Sequence, residues 1–244
     1  MLQIKVCGIC VNLYLMNKNT YIISLGGSLI VPPAGIDWRF LKGFRQLIIS
    51  EVKKGKRFFI VAGGGVTCRN YITAADKIVK VKDDDRDWLG IHSTRLNAHL
   101  LRTIFCDIAH PEIIKNPTIH MKGKEKIFIA GGWKPGWSTD YVATMIAQEY
   151  DIKTVLNLSD IDYVYDDDPK KNKKAKPIDK INWTDFRELI GDEWGPGFRA
   201  PFDPVASHKG QELGLKVIIM KGNNLDNLKK YLNDKEFKGT VISK

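Results

Sequence analysis

Residues 58–69 read Phe58-Phe59-Ile60-Val61-Ala62-Gly63-Gly64-Gly65-Val66-Thr67-Cys68-Arg69. Five apolar residues closed by glycine have the length and composition of a strand buried on both faces, as parallel sheets require. Glycines at its end let the backbone turn sharply and approach a ligand closely. The following segment, Thr67–Val79, reads as a helix. A helix beginning there would point free N–H groups and its positive dipole end at an anion. The chain uses the same device twice more. Gly26-Gly27-Ser28 follows Tyr21–Leu25, and Gly131-Gly132 follows Ile127–Ala130. Three such turns on one sheet would suit a ligand carrying several phosphates.

Around these turns, strand and helix signals alternate. Trp38–Lys54 reads as a helix with Phe40, Leu41, Phe44, Leu47 and Ile48 on one face. Asp87–Ala109 reads as a long helix carrying Trp88, Ile91, Leu96, Leu100, Leu101 and Ile104, and Thr139–Tyr150 as another helix. Thr154–Leu158 is expected to be a strand and 161–176 a polar excursion. Helices are expected at Trp183–Ile190, Val205–Leu213 and Leu225–Leu232, with strands at Lys216–Met220 and Gly239–Ile242. This alternation predicts an α/β fold, a three-layer αβα sandwich with a central, mostly parallel sheet. One domain over residues 16–244 is expected, with an acceptor half to about residue 150 and a donor half after it. Residues 1–15 are apolar without a secretion-type cleavage pattern, and Met16 would make a natural start; they are expected to be an N-terminal extension.

Composition narrows the partners. The chain has 244 residues and a formal charge of +10. That balance favours anionic partners, whether nucleic acid, an anionic membrane or phosphorylated small molecules, and surface lysines alone would also produce it. The densest basic run, Lys170–Lys180, has no interleaved aromatics and reads as a solvated loop rather than a nucleic-acid track. No apolar run approaches the ~20 residues that span a bilayer. Four cysteines, Cys7, Cys10, Cys68 and Cys106, include one C-x-x-C without the second half of a zinc site. Few cysteines and no clear export signal fit a reducing cytoplasm.

Neither G-x(4)-G-K-[ST] nor a G-x-G-x-x-G after a strand occurs, so the phosphates fall to the other glycine turns. Arg69 lies one helical turn past Gly63–Gly65, where its fork can bond two phosphate oxygens. A tight strand–helix turn with a surface arginine would give the same pattern. Asp87 stands near a helix start, where a carboxylate can accept ribose hydroxyls or simply favour the dipole. Thr94-Arg95-Leu96-Asn97-Ala98 suits either a subunit interface or a solvated face. In Trp133-Lys134-Pro135-Gly136-Trp137-Ser138-Thr139-Asp140 the hydroxyls and helix-start N–H groups can read the edge of a base, or can cap an ordinary helix. Ser159-Asp160-Ile161-Asp162, after a strand, places carboxylates where Mg²⁺ and a nucleotide could bind, Mg²⁺ preferring oxygen ligands.

Six segments in order, GGSL (26–29), GGGVTCRNYI (63–72), DWLGIHSTRLNA (87–98), GGWKPGWSTD (131–140), NLSDIDYVYDDDP (157–169) and DPVASHKGQELG (203–214), resemble the amino acid kinase superfamily. Within it they look most like its archaeal-type uridylate kinases, over nearly the whole chain. The resemblance implies phosphoryl transfer from ATP to UMP with Mg²⁺, in pyrimidine nucleotide biosynthesis, by a homohexamer with no nucleic-acid or membrane partner. It implies that Gly64 and Asp87 hold UMP, and that Gly132, Trp133, Lys134, Pro135, Gly136, Trp137, Ser138 and Thr139 line the uridine pocket. It implies ATP contacts from Gly26, Gly27, Gly65, Arg69, Ser159, Asp160, Tyr165 and Asp168, with Gly27, Arg69 and Asp203 at the transferred phosphate. Metal ligands are not assigned. Three positions depart from the family pattern: Ser24 stands where lysine is common, Asp160 where asparagine is usual, and His208 beside Lys209 where a lysine is common. Arg69 and Mg²⁺ are therefore the expected sources of positive charge. Two rivals remain: another kinase of the superfamily, acting on acetylglutamate, carbamate or an isopentenyl phosphate, and a non-catalytic nucleotide- or oxyanion-binding relative.

Overall fold

A computed structural model describes residues 19–169, 171–191 and 200–244. The expected N-terminal extension, with Cys7 and Cys10, lies outside the described residues, as does Lys170 of the basic run.

The strands are β1 (Thr20–Leu25), β2 (Arg57–Ala62), β3 (Ile127–Ala130), β4 (Thr154–Ser159), β5 (Val164–Tyr165), β6 (Pro177–Ile178), β7 (Lys180–Asn182), β8 (Lys216–Lys221) and β9 (Thr240–Ser243). The helices are α1 (Gly27–Ile30), α2 (Trp38–Lys53), α3 (Gly65–Asp76), α4 (Asp83–Ile104), α5 (Thr139–Glu149), α6 (Trp183–Ile190), α7 (Pro204–Glu212) and α8 (Leu225–Leu232). Seven strands form one sheet in the order β3-β2-β1-β4-β8-β9-β7. Pairing from β3 through β8 is parallel, and β9 runs antiparallel to β8. The polar excursion holds one strand of a small ribbon, β5 paired with β6.

Alternation along each strand assigns the layers. Ile23, Leu25, Phe58, Ile60, Ile127 and Ile129 face one side, against Phe44 and Ile48 of α2, Ala98 and Leu101 of α4, and Leu228 of α8. Ile22, Phe59, Val61, Phe128 and Val155 face the other, against Val142 and Ile146 of α5, Phe186 of α6 and Ala206 of α7. Helices thus cover both faces, which is why the strands read as continuous apolar runs rather than alternating ones. The expected αβα sandwich is the observed one.

Two helix starts differ from the sequence expectation by two residues or more. α4 begins at Asp83 rather than Asp87, with Asp83, Asp84 and Asp85 in its first turn, where carboxylates favour the dipole. Asp87 therefore lies one turn inside the helix. α3 begins at Gly65, within the glycine turn itself.

Candidate functional site

The three glycine turns leave the C-terminal ends of β1, β2 and β3, and Ser159–Asp160 leaves that of β4. These strands are parallel neighbours in the order β3-β2-β1-β4. All four loops therefore open on one edge of the sheet, the edge where open α/β sheets bind ligands. At ~4.8 Å per strand, the line from the third glycine turn to the loop after β4 spans about 14 Å.

The first two turns touch backbone to backbone. A Cβ built on Gly27 would lie 2.7 Å from Gly64 N and closer still to Gly65 N, and one on Gly63 would meet Gly27 Cα at 2.9 Å. Gly65 has φ +65° and its missing Cβ leaves room for Val31 O at 2.8 Å. These glycines are needed for the turns to pack on one another, whatever ligand comes near. Their N–H groups are partly spent: Gly26 N donates to Leu158 O and Gly63 N to Leu25 O, both at 2.9 Å. Val66 N likewise donates to Val31 O at 2.9 Å. The remaining first-turn N–H groups of α3 have no intrahelical acceptor and point toward the sheet edge. Arg69 stands exposed on the next turn of α3.

The third turn is held by α4. Thr94 Oγ1 accepts from Gly132 N at 2.7 Å and donates to Ile91 O at 2.7 Å. Arg95 donates from Nε to Gly132 O at 3.0 Å and from Nη2 to Trp133 O at 2.8 Å. Asn97 Nδ2 donates to Gly63 O at 2.7 Å and Gly64 O at 3.1 Å, which ties the same helix to the second turn. Thr94 and Asn97 are buried, so this segment is not a solvated face. Their role as ties between helix and turns was not read from the sequence. The available signal was polar residues at i and i+3, on one helical face.

Asp87, expected at a ribose, accepts from Gly136 N at 2.6 Å. Gly136 has φ +84°, a conformation that glycine takes without strain. Ser138 N-caps α5, accepting from Tyr141 N at 3.1 Å. Trp133, Trp137 and Tyr141 form a continuous stack, with centroids 6.1 Å and 4.0 Å apart along it, and Lys134 Nζ lies 4.3 Å from the Trp133 ring centre. The loop after β3 thus presents an ordered aromatic ledge, with Gly132 buried behind it.

Where β1 meets the N-termini of α5 and α7, three residues join from distant parts of the chain. Ser24 Oγ donates to Asp140 Oδ1 at 2.8 Å, and Asp140 Oδ2 accepts from Asp203 N at 3.3 Å. Asp203, buried, caps α7 by accepting from Ala206 N at 2.7 Å and also bonds the Ser138 side chain. Ser24, in the position where lysine is common, thus binds an acid rather than facing the open edge. Burial pushes the Asp140 carboxyl up to about 6, with the Asp203 charge acting in the same direction and the Ser24 and Asp203 hydrogen bonds opposing it. Burial raises Asp203 as well.

A carboxyl raised from 3.8 to about 6 favours the fold while protonated, and that contribution is lost as pH rises through about 6. The full loss is about 3 kcal/mol, of which about 2 kcal/mol falls between pH ~4.5 and ~7.5. An asparagine amide cannot ionise, so Asp140→Asn should gain about 2 kcal/mol relative to the parent over that interval. Thermal melts of both proteins without nucleotide check this; a stability difference independent of pH would refute it.

At the end of β4, Ser159 closes the strand and its Oγ accepts from Ile161 N at 3.4 Å. Asp160 and Asp168 are exposed, and Tyr165 is half-buried on β5. Asp162 pairs with Lys221 at 3.4 Å. His208 is exposed on α7, while Lys209 pairs with Glu212 at 3.0 Å. The oxygen donors at this end are of the hard type that Mg²⁺ takes, and Mg²⁺ commonly completes its shell with water and substrate phosphates. A magnesium nucleotide fits that donor set.

Residues 19–221 match the model of the amino acid kinase family. Similar curated proteins include the uridylate kinase of Methanocorpusculum labreanum, 32% identical over 226 residues, 91% of this chain and 94% of that protein. The uridylate kinase of Thermoplasma volcanium is 33% identical over 223 residues, 90% and 95% of the two chains. Among solved structures, uridylate kinase from Archaeoglobus fulgidus superposes with a TM-score of 0.78 at 26% identity, covering 91% of this chain and 99% of that one. UMP kinase from Bacillus anthracis shares the fold, with a TM-score of 0.74 at 21% identity over 92% and 96% of the chains.

Proposed function

The chain belongs to the amino acid kinase family, and on that premise we propose that it is a UMP kinase, transferring the ATP γ-phosphate to UMP to give UDP and ADP in pyrimidine nucleotide biosynthesis. The observation that carries this reading is the strand order β3-β2-β1-β4. It sets the base-reading loop, the arginine-bearing turn, the first glycine turn and the acidic donor loop in one line. That is the sequence of groups in a UMP–ATP pair: base, acceptor phosphate, transferred phosphate, donor nucleotide. Relatives named uridylate kinase, at 31–33% identity, support it over the non-catalytic alternative.

Phosphoryl transfer asks the protein mainly for positioning and for neutralisation of charge. A UMP phosphate oxygen is ionised at neutral pH and attacks the γ-phosphorus in line, so no general base is needed. N–H groups at the start of α3 and around Gly27 hold the phosphates, and Arg69 spreads charge on them. Asp87 and the 132–139 loop hold the nucleoside. Ser159, Asp160, Tyr165 and Asp168 take the ATP. Mg²⁺, when bound, would neutralise polyphosphate charge, and the exposed Asp160 and Asp168 carboxylates would lie nearest to hold it. With Ser24 engaged by Asp140, β1 contributes no cation to the transferred group. Asp203 orders the N-terminus of α7 beside it.

An assay of ADP formation over UMP, CMP, dUMP and acetylglutamate tests the reading. UMP should be preferred over CMP by about 10²-fold or more in kcat/KM, because a site built to hydrogen-bond one base edge leaves buried groups unpaired with the other. Nucleotide binding without turnover would favour the non-catalytic alternative, and equal use of CMP would remove the role given to the 132–139 loop.

The proposal includes a homohexamer and a cytoplasmic setting. Supporting assembly, Trp88 and Leu96 on α4 and Tyr71, Ile78 and Val79 on and after α3 are exposed, with Ile78 at 82%. An apolar set of this size is an expected contact surface. Light scattering should give about six times the 27.7 kDa chain mass; a monomer at working concentration would overturn that element. Among the described residues no helix is long and apolar enough to cross a membrane.

A further inference from the structure

We infer that Arg95 is a positioning residue that makes α4 a ruler between the acceptor's phosphate and its base; this rests on the UMP reading and deepens it. α4 grips the base-reading loop at two places. Arg95 and Thr94 hold both sides of the Gly132 peptide units through Gly132 N, Gly132 O and Trp133 O. Asp87, two helical turns away, holds Gly136 N at 2.6 Å. The same helix grips the phosphate turn through Asn97, on the Gly63 and Gly64 carbonyls. A rigid helix bonded to both turns fixes their separation, because its rise is set at ~1.5 Å per residue.

The approach is close enough to be structural in both directions. A Cβ on Gly131 would lie 3.1 Å from Arg95 Cα and Cγ, and one on Gly132 would lie 2.8 Å from Thr94 Oγ1. The third glycine pair therefore exists to admit α4, and Arg95 fills the space it leaves. Two parallel bonds from one planar fork to successive carbonyls set the orientation of the strand-to-loop turn as well as its distance, which a single-point cation cannot do. From that turn Trp133 and the Trp137–Tyr141 stack project. Arg95 commits its fork to the Gly132 and Trp133 carbonyls; it decides where the base-reading loop stands relative to the phosphate turn.

Arg95→Lys tests the inference, since lysine keeps the charge and loses the fork. UMP affinity, read by fluorescence of the loop tryptophans, should fall about tenfold, the scale of one charge-assisted hydrogen bond. Affinity for ribose 5-phosphate, which lacks the base, should change less than about twofold, as should KM for ATP, while kcat is retained within about threefold. Arg95→Gln, able to satisfy one carbonyl, should fall on the same side. A residue serving only general stability would weaken UMP, ribose 5-phosphate and ATP together; that pattern, or unchanged UMP affinity in the folded variant, overturns the inference. Wild-type protein that binds UMP without phosphorylating it would overturn the kinase reading and leave the binding comparison intact.

Discussion

Gly27→Ala is expected to lower turnover by about 10²-fold or more and to destabilise the protein together. The new Cβ would fall 2.7 Å from Gly64 N and from Gly65 Cα, and nearer to Gly65 N. These are backbone atoms at the ends of two hydrogen-bonded strands, β1 and β2, in fixed register with Leu25 opposite Ala62. Neither can yield as a side-chain tip would. The turns must separate, which costs about 3 kcal/mol or more and lowers Tm by about 10 °C in a chain of this size. On the proposed reading the same separation moves N–H groups off the phosphates, and a displacement of ~1 Å in a positioned reaction costs about 10²-fold in rate. Gly35→Ala separates clash from backbone conformation. Gly35 has φ +102°, and a methyl group placed on it would meet nothing within 4 Å. That variant should lose only about 1–2 kcal/mol and keep its kcat. A Gly27→Ala protein with native Tm and rate would show that the two turns do not pack as described.

Arg69→Ala is expected to lower kcat/KM by about 10²–10³-fold while Tm moves by no more than about 2 °C. Arg69 is exposed on the second turn of α3, so its removal leaves no cavity. Its effect should be large because serine stands at 24 where lysine is common. Ser24 is bonded to Asp140, and Lys209 is paired with Glu212. On the proposed reading, charge on the acceptor phosphate then falls on Arg69, the turn N–H groups and any metal. Arg69→Lys should recover part of the loss, since a point charge neutralises without the bidentate geometry. Steady-state kinetics over UMP and ATP, with melts of the same preparations, decide it. Wild-type rates in the alanine variant would sink the assignment.

Much of the architecture was legible because its signals are local. Strands buried on both faces have to be continuous apolar runs, and those at 21–25, 58–62 and 127–130 were visible as such. Helix starts were less legible. Three aspartates ahead of Asp87 extend α4 by a turn, a dipole effect that competes with the apolar pattern used to find the helix. Leu96, counted with the apolar positions of that helix, is 63% exposed, because Thr94 and Asn97 are needed on the face turned to the glycine turns. Helix phase follows from what packs against the helix, and composition alone does not reveal it.

By itself the sequence determined the alternation of strands and helices, the glycine turn after each of three strands, and the ordered motifs of the amino acid kinase family. Each depends on residues within about a dozen positions of one another, where propensity and periodicity act. The tertiary structure decided which turns are neighbours and why their glycines are required. Strand order puts residues 26–27 against 63–65, and α4 against 131–132. It also joined Ser24 to Asp140, 116 positions away, and Asp140 to Asp203, a further 63. Such contacts arise from the pairing of whole strands and the docking of whole helices, in which burial of the common core outweighs any local preference, so no single segment carries the information for them.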